Sequence, residues 1–454
     1  MATSKNSVQW INHGAYSLIN QASVVLFGFA SIFFLVRMLP PSEIGIWVLF
    51  TSVGGILETL RVGFIRIPFI SMLVVSTDEE RVKIIQSSLI LHVLLTCIVV
   101  AVLVICAGLL AEFWYAEQLE QLFYIYSVNS FVLVVFLHFE YFLQSILEFK
   151  AIFIANFIRL FVFFAYIIGY YVVGGSPSLS ELAVVQLGAT GIASLFSYLL
   201  VKNKIPVFNM GLVDIKILKK LFNLGKYTFG TNISAILIRN TDSWMIGRLI
   251  STAGVAMYNP ALRITNIVEV PTMAIANVVF PQVGSKMRES GVEGVQSIYY
   301  KSVSLILAAV IPVVLPVYFM ADFIILVIFG NEYSEAVPIL QVTVFYTILM
   351  PFSRQFGTIM DALQMPKLNF YLSLLMALLN IVLNYFLLQS FGVIGAAYGT
   401  VISFGIIFIV NQLILYSKFK INTWLVFVEL AGWYVYGWRL IRNYVKNWIR
   451  GRSN

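Results

Sequence analysis

Apolar stretches of about 20 residues recur along almost the whole chain, separated by short polar connections. Ser87–Leu110 and Ile298–Val317 carry almost no formal charge. Each is long enough to cross a ~30 Å hydrocarbon core as a helix. Within lipid only helices or closed barrels satisfy every backbone polar group, and barrel strands would read as short alternating segments. The pattern predicts helices over 15–36, 44–63, 86–111, 120–144, 150–173, 180–201, 226–247, 252–280, 298–319, 334–353, 368–390 and 392–416. The chain reads as an all-α polytopic membrane protein with about twelve transmembrane helices.

Charge in the connections orients these spans. One alternating set holds Arg66, Arg81, Lys83, Lys150, Lys286, Arg288, Lys301, Arg354, Lys367 and the lysines between Lys202 and Lys226. The other set is mainly acidic, with Glu43, Glu112, Glu117, Glu120, Glu181, Asp322, Glu332 and Glu335. The positive-inside rule then places both termini in the cytoplasm, which suits an even number of spans.

Composition narrows the function. With 60% hydrophobic and 11% charged residues, 454 residues leave little chain for a soluble domain. The net charge of +8 is spread over short loops rather than gathered on a face, so nucleic acid is not an expected partner. Cys97 and Cys106 share one apolar segment, which argues against a disulfide framework or a metal site. The polar start at 1–14 lacks the form of a secretory signal, so the first span is expected to serve as an uncleaved insertion signal. No P-loop, zinc motif or nucleophile elbow is present, which points to a transporter not driven directly by ATP rather than an enzyme.

The halves of the chain look alike. Arg37, Gly45 and Trp47 are spaced as Arg248, Ala256 and Tyr258 are, and the same displacement carries Gly188 onto Gly399. A weaker echo pairs Leu143-Gln144 with Leu363-Gln364. Six spans per half give both halves one orientation, hence two six-helix bundles related by a pseudo-two-fold axis along the membrane normal. The expected domains are an N-terminal bundle (1–201), a lysine-rich cytoplasmic linker (202–225), a C-terminal bundle (226–416) and a basic tail (417–454). In that tail Arg439, Arg442, Lys446 and Arg450 form one stripe beside Trp438, Ile441, Val445 and Trp448. It reads as an amphipathic helix lying on the anionic cytoplasmic leaflet, since a thirteenth span would carry its charge outside.

Several of these segments carry a family resemblance. Arg37-Met-Leu-Pro-Pro-Ser-Glu-Ile-Gly-Ile-Trp47 resembles the signature after the first helix of polysaccharide-transport proteins in the multidrug/oligosaccharidyl-lipid/polysaccharide (MOP) superfamily. Leu224-Gly-Lys-Tyr-Thr228, Arg239-Asn-Thr-Asp242 and Tyr258-Asn-Pro-Ala-Leu-Arg263-Ile are similar to that family's seventh and eighth spans, with Pro281 closing the eighth. The resemblance runs over nearly the whole chain, with Wzx-type O-antigen flippases the nearest group. It implies a MATE/MurJ-like pair of bundles around a central cavity. It also implies translocation of undecaprenyl-pyrophosphate-linked oligosaccharide, an O-antigen or similar repeat unit, from the cytoplasmic to the outer leaflet. A polysaccharide biosynthesis complex is the partner it suggests beside the bilayer, and a bacterial cytoplasmic (inner) membrane is the location it implies.

Ionisable residues at membrane depth are expensive, and each is a functional candidate. Arginine suits a pyrophosphate because its fixed fork donates two bonds to phosphate oxygens. Arg61, Arg66, Arg159, Arg239 and Arg263 are the candidate substrate contacts. Glu58, three residues before Arg61, can serve as its ion-pair partner or in ion coupling. Arg239 and Asp242 are likewise three apart and can neutralise one another. Glu269 is the preferred site for H+ or Na+ coupling, with Asp242 beside it, and no other cofactor is expected. Glu140 and Arg159 can pair across helices, and His92 and His138 are expected to hydrogen-bond to neighbouring helices. Two rivals stand against the flippase: a cation-coupled drug antiporter of the same superfamily, and a membrane glycosyltransferase or polymerase. The intramembrane arginines oppose the first, and the short outer loops oppose the second.

Overall fold

The computed structural model describes residues 2–202, 204 and 213–451. Within these, the side chains of 2–15, 17–18, 62, 226–238, 268–271, 274, 277, 281, 440–441 and 443–451 are outside the description. The order is α1 (Ala2–Met38), α2 (Pro41–Val74), α3 (Asp78–Phe113), α4 (Gln118–Ser145), α5 (Phe149–Val173), α6 (Leu179–Val201) and α7 (Ile215–Leu249). There follow α8 (Thr252–Phe319), α9 (Ala321–Ile328), α10 (Ala336–Thr343), α11 (Tyr346–Ala362), α12 (Pro366–Phe391), α13 (Ile394–Phe419) and α14 (Trp424–Gly451). Ten helices among the described residues are long and apolar enough to cross a membrane, α10 and α11 counting together as one. The spans expected over 226–247 and 252–280 are helical, but they include side chains outside the description.

Local signals set the helix ends. Thr77 caps α3 by accepting from the Glu80 N–H, and Asp78, Glu79 and Glu80 fill the first turn, where the helix dipole favours negative charge. Ser178 and Glu181 close a reciprocal capping box on α6. Gly291, at φ 57°, breaks the long α8 run into two helices, a left-handed backbone that glycine adopts without a Cβ clash.

Contacts divide the chain into two compact units, 1–236 with 251–256, and 237–250 with 257–454. The core of the first holds Ile65, Phe69 and Leu73 of α2, Ile85 of α3, and Phe136 and Tyr141 of α4. Here α2 outruns its expected end at residue 63, because Ile65, Phe69 and Leu73 repeat every four residues and all pack inward. Arg66, expected in a loop, therefore lies within a helix. The linker expected over 202–225 is helical from Ile215, and Leu221 enters the same core. Residues 203 and 205–212 of that linker are outside the described residues. The two segments matched as repeats also meet: a Cβ at Gly45 would collide with the Thr252 carbonyl.

The second unit packs Val283, Tyr299 and Val303 of α8 against Phe352 and Phe356 of α11 and Leu415 of α13. The first half of the tail packs on this core. Val426 is 0% exposed and Leu430 packs beside it. Trp433 Nε1 donates to Ser304 Oγ at 3.0 Å, and Tyr434 OH donates to the Ala308 carbonyl at 3.4 Å. Arg439 and Arg442 stay exposed, while the side chains of Lys446 and Arg450 are outside the described residues.

Candidate functional site

In the first unit the charged residues gather on three helices. Arg61 of α2 is 1% exposed, its Nη1 donating to the Ser130 carbonyl at 3.2 Å and its Nη2 to Tyr126 OH at 3.3 Å. Tyr126 OH passes its own hydrogen to the Gly54 carbonyl at 2.9 Å. Arg61 thus takes α4 as its partner and not Glu58, and its burial removes it from direct reach of a large ligand. The ion-pair reading of the Glu58–Arg61 spacing does not hold.

Arg66 and Arg159 are different: both are half-buried with accessible surface. Gln144 Oε1 accepts from Arg66 Nε at 3.0 Å, and Asn156 Oδ1 accepts from Arg159 Nη2 at 3.4 Å. Phe136 lies under the Arg159 guanidinium, 4.9 Å from centroid to Cζ, a cation–π contact. Glu140 is within electrostatic reach of Arg159, Arg66 and Glu58 and lies against Asn156. The pairing expected of Glu140 with Arg159 is therefore electrostatic proximity without a hydrogen-bonded ion pair. Three arginines and two glutamates leave this cluster with an excess of positive charge.

The second unit repeats the arrangement at Arg263. Its Nε donates to Asn259 Oδ1 at 2.6 Å, one turn back on α8, and the side chain is half-buried. The partner Arg263 takes is an amide on its own helix. Arg66, Arg159 and Arg263 are each positioned by a neutral amide oxygen. Among the described residues no carboxylate stands within ion-pair distance of them.

Asp242 of α7 is the counterpart of opposite sign. It is 4% exposed, and its carboxylate accepts from Tyr258 OH at 2.6 Å, Thr400 Oγ1 at 2.7 Å and Asn384 Nδ2 at 2.6 Å. Asn380 Nδ2 donates to Thr400 Oγ1 at 3.1 Å, and Asn380 Oδ1 accepts from Asn384 at 3.3 Å. Arg239, the partner suggested by spacing, is exposed, and Asp242 makes its hydrogen bonds with neutral groups. Asn384 Oδ1 is buried without a protein partner, and a Cβ at Gly399 would come within 2.2 Å of it. The donor set, carboxylate, hydroxyl and amide oxygens, suits a hard cation or a proton. The side chain of Glu269, the preferred ion site, lies outside the described residues.

Sequence reasoning missed Tyr126, Gln144, Tyr258, Asn380, Asn384 and Thr400 as site residues. The Asn380–Asn384 pair could have been found, since two amides four apart on an otherwise apolar span share one helix face. Tyr126, Tyr258 and Thr400 carry no such signal, because hydroxyls are common in membrane helices.

Three comparisons bear on this architecture. A probable low-salt glycan biosynthesis flippase, Agl15 of Haloferax volcanii, is 29% identical over 188 residues, 41% of this chain and 40% of that protein. The match therefore spans about two-fifths of the relative's length. A solved inward-facing multidrug resistance MATE family transporter of the MOP superfamily superposes with a TM-score of 0.74 at 16% identity, covering 89% of this chain and 98% of its own. The lipid II flippase MurJ in an inward closed conformation gives 0.67 at 16% identity, covering 90% and 88%. These structures establish the shared helical fold. The family model described as polysaccharide biosynthesis protein matches residues 34–338, and with that match the chain belongs to the polysaccharide biosynthesis protein family.

Proposed function

We propose that this protein is a flippase carrying lipid-linked oligosaccharide across the membrane by alternating access. The cargo is an undecaprenyl-pyrophosphate-linked repeat unit of O-antigen or a similar surface polysaccharide, moved from the cytoplasmic to the outer leaflet. One observation carries the reading: Arg66, Arg159 and Arg263 are half-buried and held by amides, so their charge is left for a mobile anion. A pyrophosphate left unpaired in hydrocarbon pays a desolvation cost of tens of kcal/mol, which fixed guanidinium forks offset. Within the first unit Arg61 supports the lining made by Arg66 and Arg159 by holding α2 to α4. Family membership and the flippase names of Agl15 and MurJ support the same reading.

The Asp242 cluster is the ion-coupling site of this proposal, for H+ or Na+. The same cluster favours the second reading, a cation-coupled antiporter, because a buried carboxylate suits a cationic substrate as well as a coupling ion. The test is a strain lacking the protein, its lipid-linked saccharides identified by mass spectrometry and assigned to a leaflet with a membrane-impermeant probe. Repeat units held on the cytoplasmic side, and released when the protein is restored, are expected. Unchanged pools together with new sensitivity to cationic dyes would overturn the flippase in favour of the antiporter.

A further inference from the structure

Behind Arg61 the first unit holds two histidines that nothing above employs. His92 of α3 is 0% exposed and His138 of α4 is 2% exposed. Neither ring nitrogen of either one has a protein partner, contrary to the interhelical hydrogen bonds expected from sequence. His92 stacks on Tyr141, ring centroids 6.2 Å apart and planes 11° off parallel, and His138 lies 5.2 Å from Phe69. Tyr141 OH, Thr96 Oγ1 and Arg61 Nε are also buried without a partner. Native interiors leave few such groups, so this concentration marks a place built for something that comes and goes.

The charged surroundings are one-sided. The charges that reach His92 are those of Arg61 and His138. On α2, Glu58, Arg61 and Arg66 face the neighbouring Tyr141, and on α4 so does Glu140. From α5 comes Arg159, seated on Phe136. On the α7 side Asp214 offers its backbone N–H to Ser87, more than a turn from His92. The described part of α6 presents Ser194 to α4, a neutral group.

We propose that His92 and His138 form a proton-binding site, a second ion site in the first unit, which takes up one proton when an anion occupies the arginine lining. Two adjacent imidazoles hold at most one proton readily, because the first charge opposes the second. Arg61 opposes even the first. An anion beside Arg66 and Arg159 offsets that positive field, and Tyr141 is the group common to both, stacked on His92 and within reach of Arg66. The linkage is reciprocal, so the proton tightens the anion as the anion draws the proton. This rests on the anion-binding reading above for its ligand, but not for the proton site itself.

The chain has three histidines, His13 being the other, which makes each imidazole resolvable by solid-state NMR of the full-length, histidine-labelled protein in bilayers. With inorganic pyrophosphate saturating, acidification of the native protein from pH 8 to pH 5 should charge one imidazole per chain at this pair, which stays neutral over that range without the anion. Arg61→Gln should charge it without pyrophosphate. The charged signal should vanish in His92→Gln/His138→Gln. A pair neutral down to pH 5 in native protein with pyrophosphate shown bound by calorimetry overturns the site, and that titration needs no substitution. So does a charged signal that survives the double substitution. Charging in Arg61→Gln, with no pyrophosphate bound to the native protein, upholds the proton site and overturns anion binding at the arginines.

Discussion

The half-buried arginines and the Asp242 cluster solve one problem with opposite signs. A charge in a membrane protein is usually compensated by an opposite charge, which neutralises both. Here Arg66, Arg159 and Arg263 are held by amides, and Asp242 by two hydroxyls and an amide. Neutral partners fix geometry without cancelling charge, so each region keeps its sign for something mobile. They differ in closure. The arginines retain accessible surface, as a bulky headgroup requires, while Asp242 is enclosed, as a small ion permits. On the proposed reading, exposure separates the cargo contacts from the ion-coupling site.

The strongest way to break this comparison is to reverse the lining. Arg159→Glu and Arg263→Glu, made separately, should each lower transport on the order of 100-fold, since opposing a desolvated charge costs roughly 2–5 kcal/mol. Protein abundance in the membrane should not change, because neither arginine is ion-paired to a described carboxylate. Leaflet-resolved lipid analysis reads the result. Full transport in both variants would reduce the lining to a packing feature.

Asp242→Asn addresses the other sign and should cost less. Three donors converge on the carboxylate, and the new amide nitrogen must face at least one of them. An unmatched buried polar group costs about 1–3 kcal/mol, so transport should fall roughly 30-fold in proteoliposomes energised by an ion gradient. Exchange without a gradient should suffer less. Equal losses in both assays would make Asp242 part of cargo handling and collapse the distinction between the regions.

How much of this was legible depends on what each feature needs. Periodic apolar stretches and alternating loop charge announced a helical membrane bundle, because hydrocarbon imposes those rules on every span. The end of α2 was misjudged, since Arg66 reads as a loop charge until Gln144 is known to hold it. Arg61 and Asp242 were recognisable as costly, but apart from Tyr258, 16 residues from Asp242, their partners lie 65 to 158 residues away, a separation no spacing rule spans. Three-residue spacing suggested ion pairs at Glu58–Arg61 and Arg239–Asp242, and tertiary partners displaced both. Proximity along a helix is a weak bid against a well-placed neutral donor on another.

The internal repeat sharpens the comparison through a pair of glycines. Gly188 and Gly399 correspond in sequence, yet a Cβ at Gly188 meets nothing within 4 Å, while one at Gly399 would lie 2.2 Å from Asn384 Oδ1. Gly399→Ala should push Asn384 off Asp242, with an overpacking cost of about 1–3 kcal/mol and roughly a tenfold loss of ion-driven transport. Gly188→Ala should be silent in the same assay and in thermal unfolding. Matching effects would mean that both glycines serve the repeat and neither serves the ion site.

Gln144→Ala is the mildest of these changes, and it asks whether an amide holder matters at all. The substitution removes the Arg66 Nε partner and leaves the arginine's charge in place. Arg66 is half-buried with access to solvent, so the freed donor can find water, and the net loss should be about 0.5–1.5 kcal/mol of positioning. Inorganic pyrophosphate, titrated calorimetrically against the purified protein, should then bind about threefold more weakly. Gln144→Glu gives the informative contrast: it restores a hydrogen bond but cancels the charge, and it should weaken binding more than alanine does. If glutamate bound pyrophosphate better than alanine, geometry would outrank charge at this arginine. Neutral holders would then be incidental to how the lining keeps its sign.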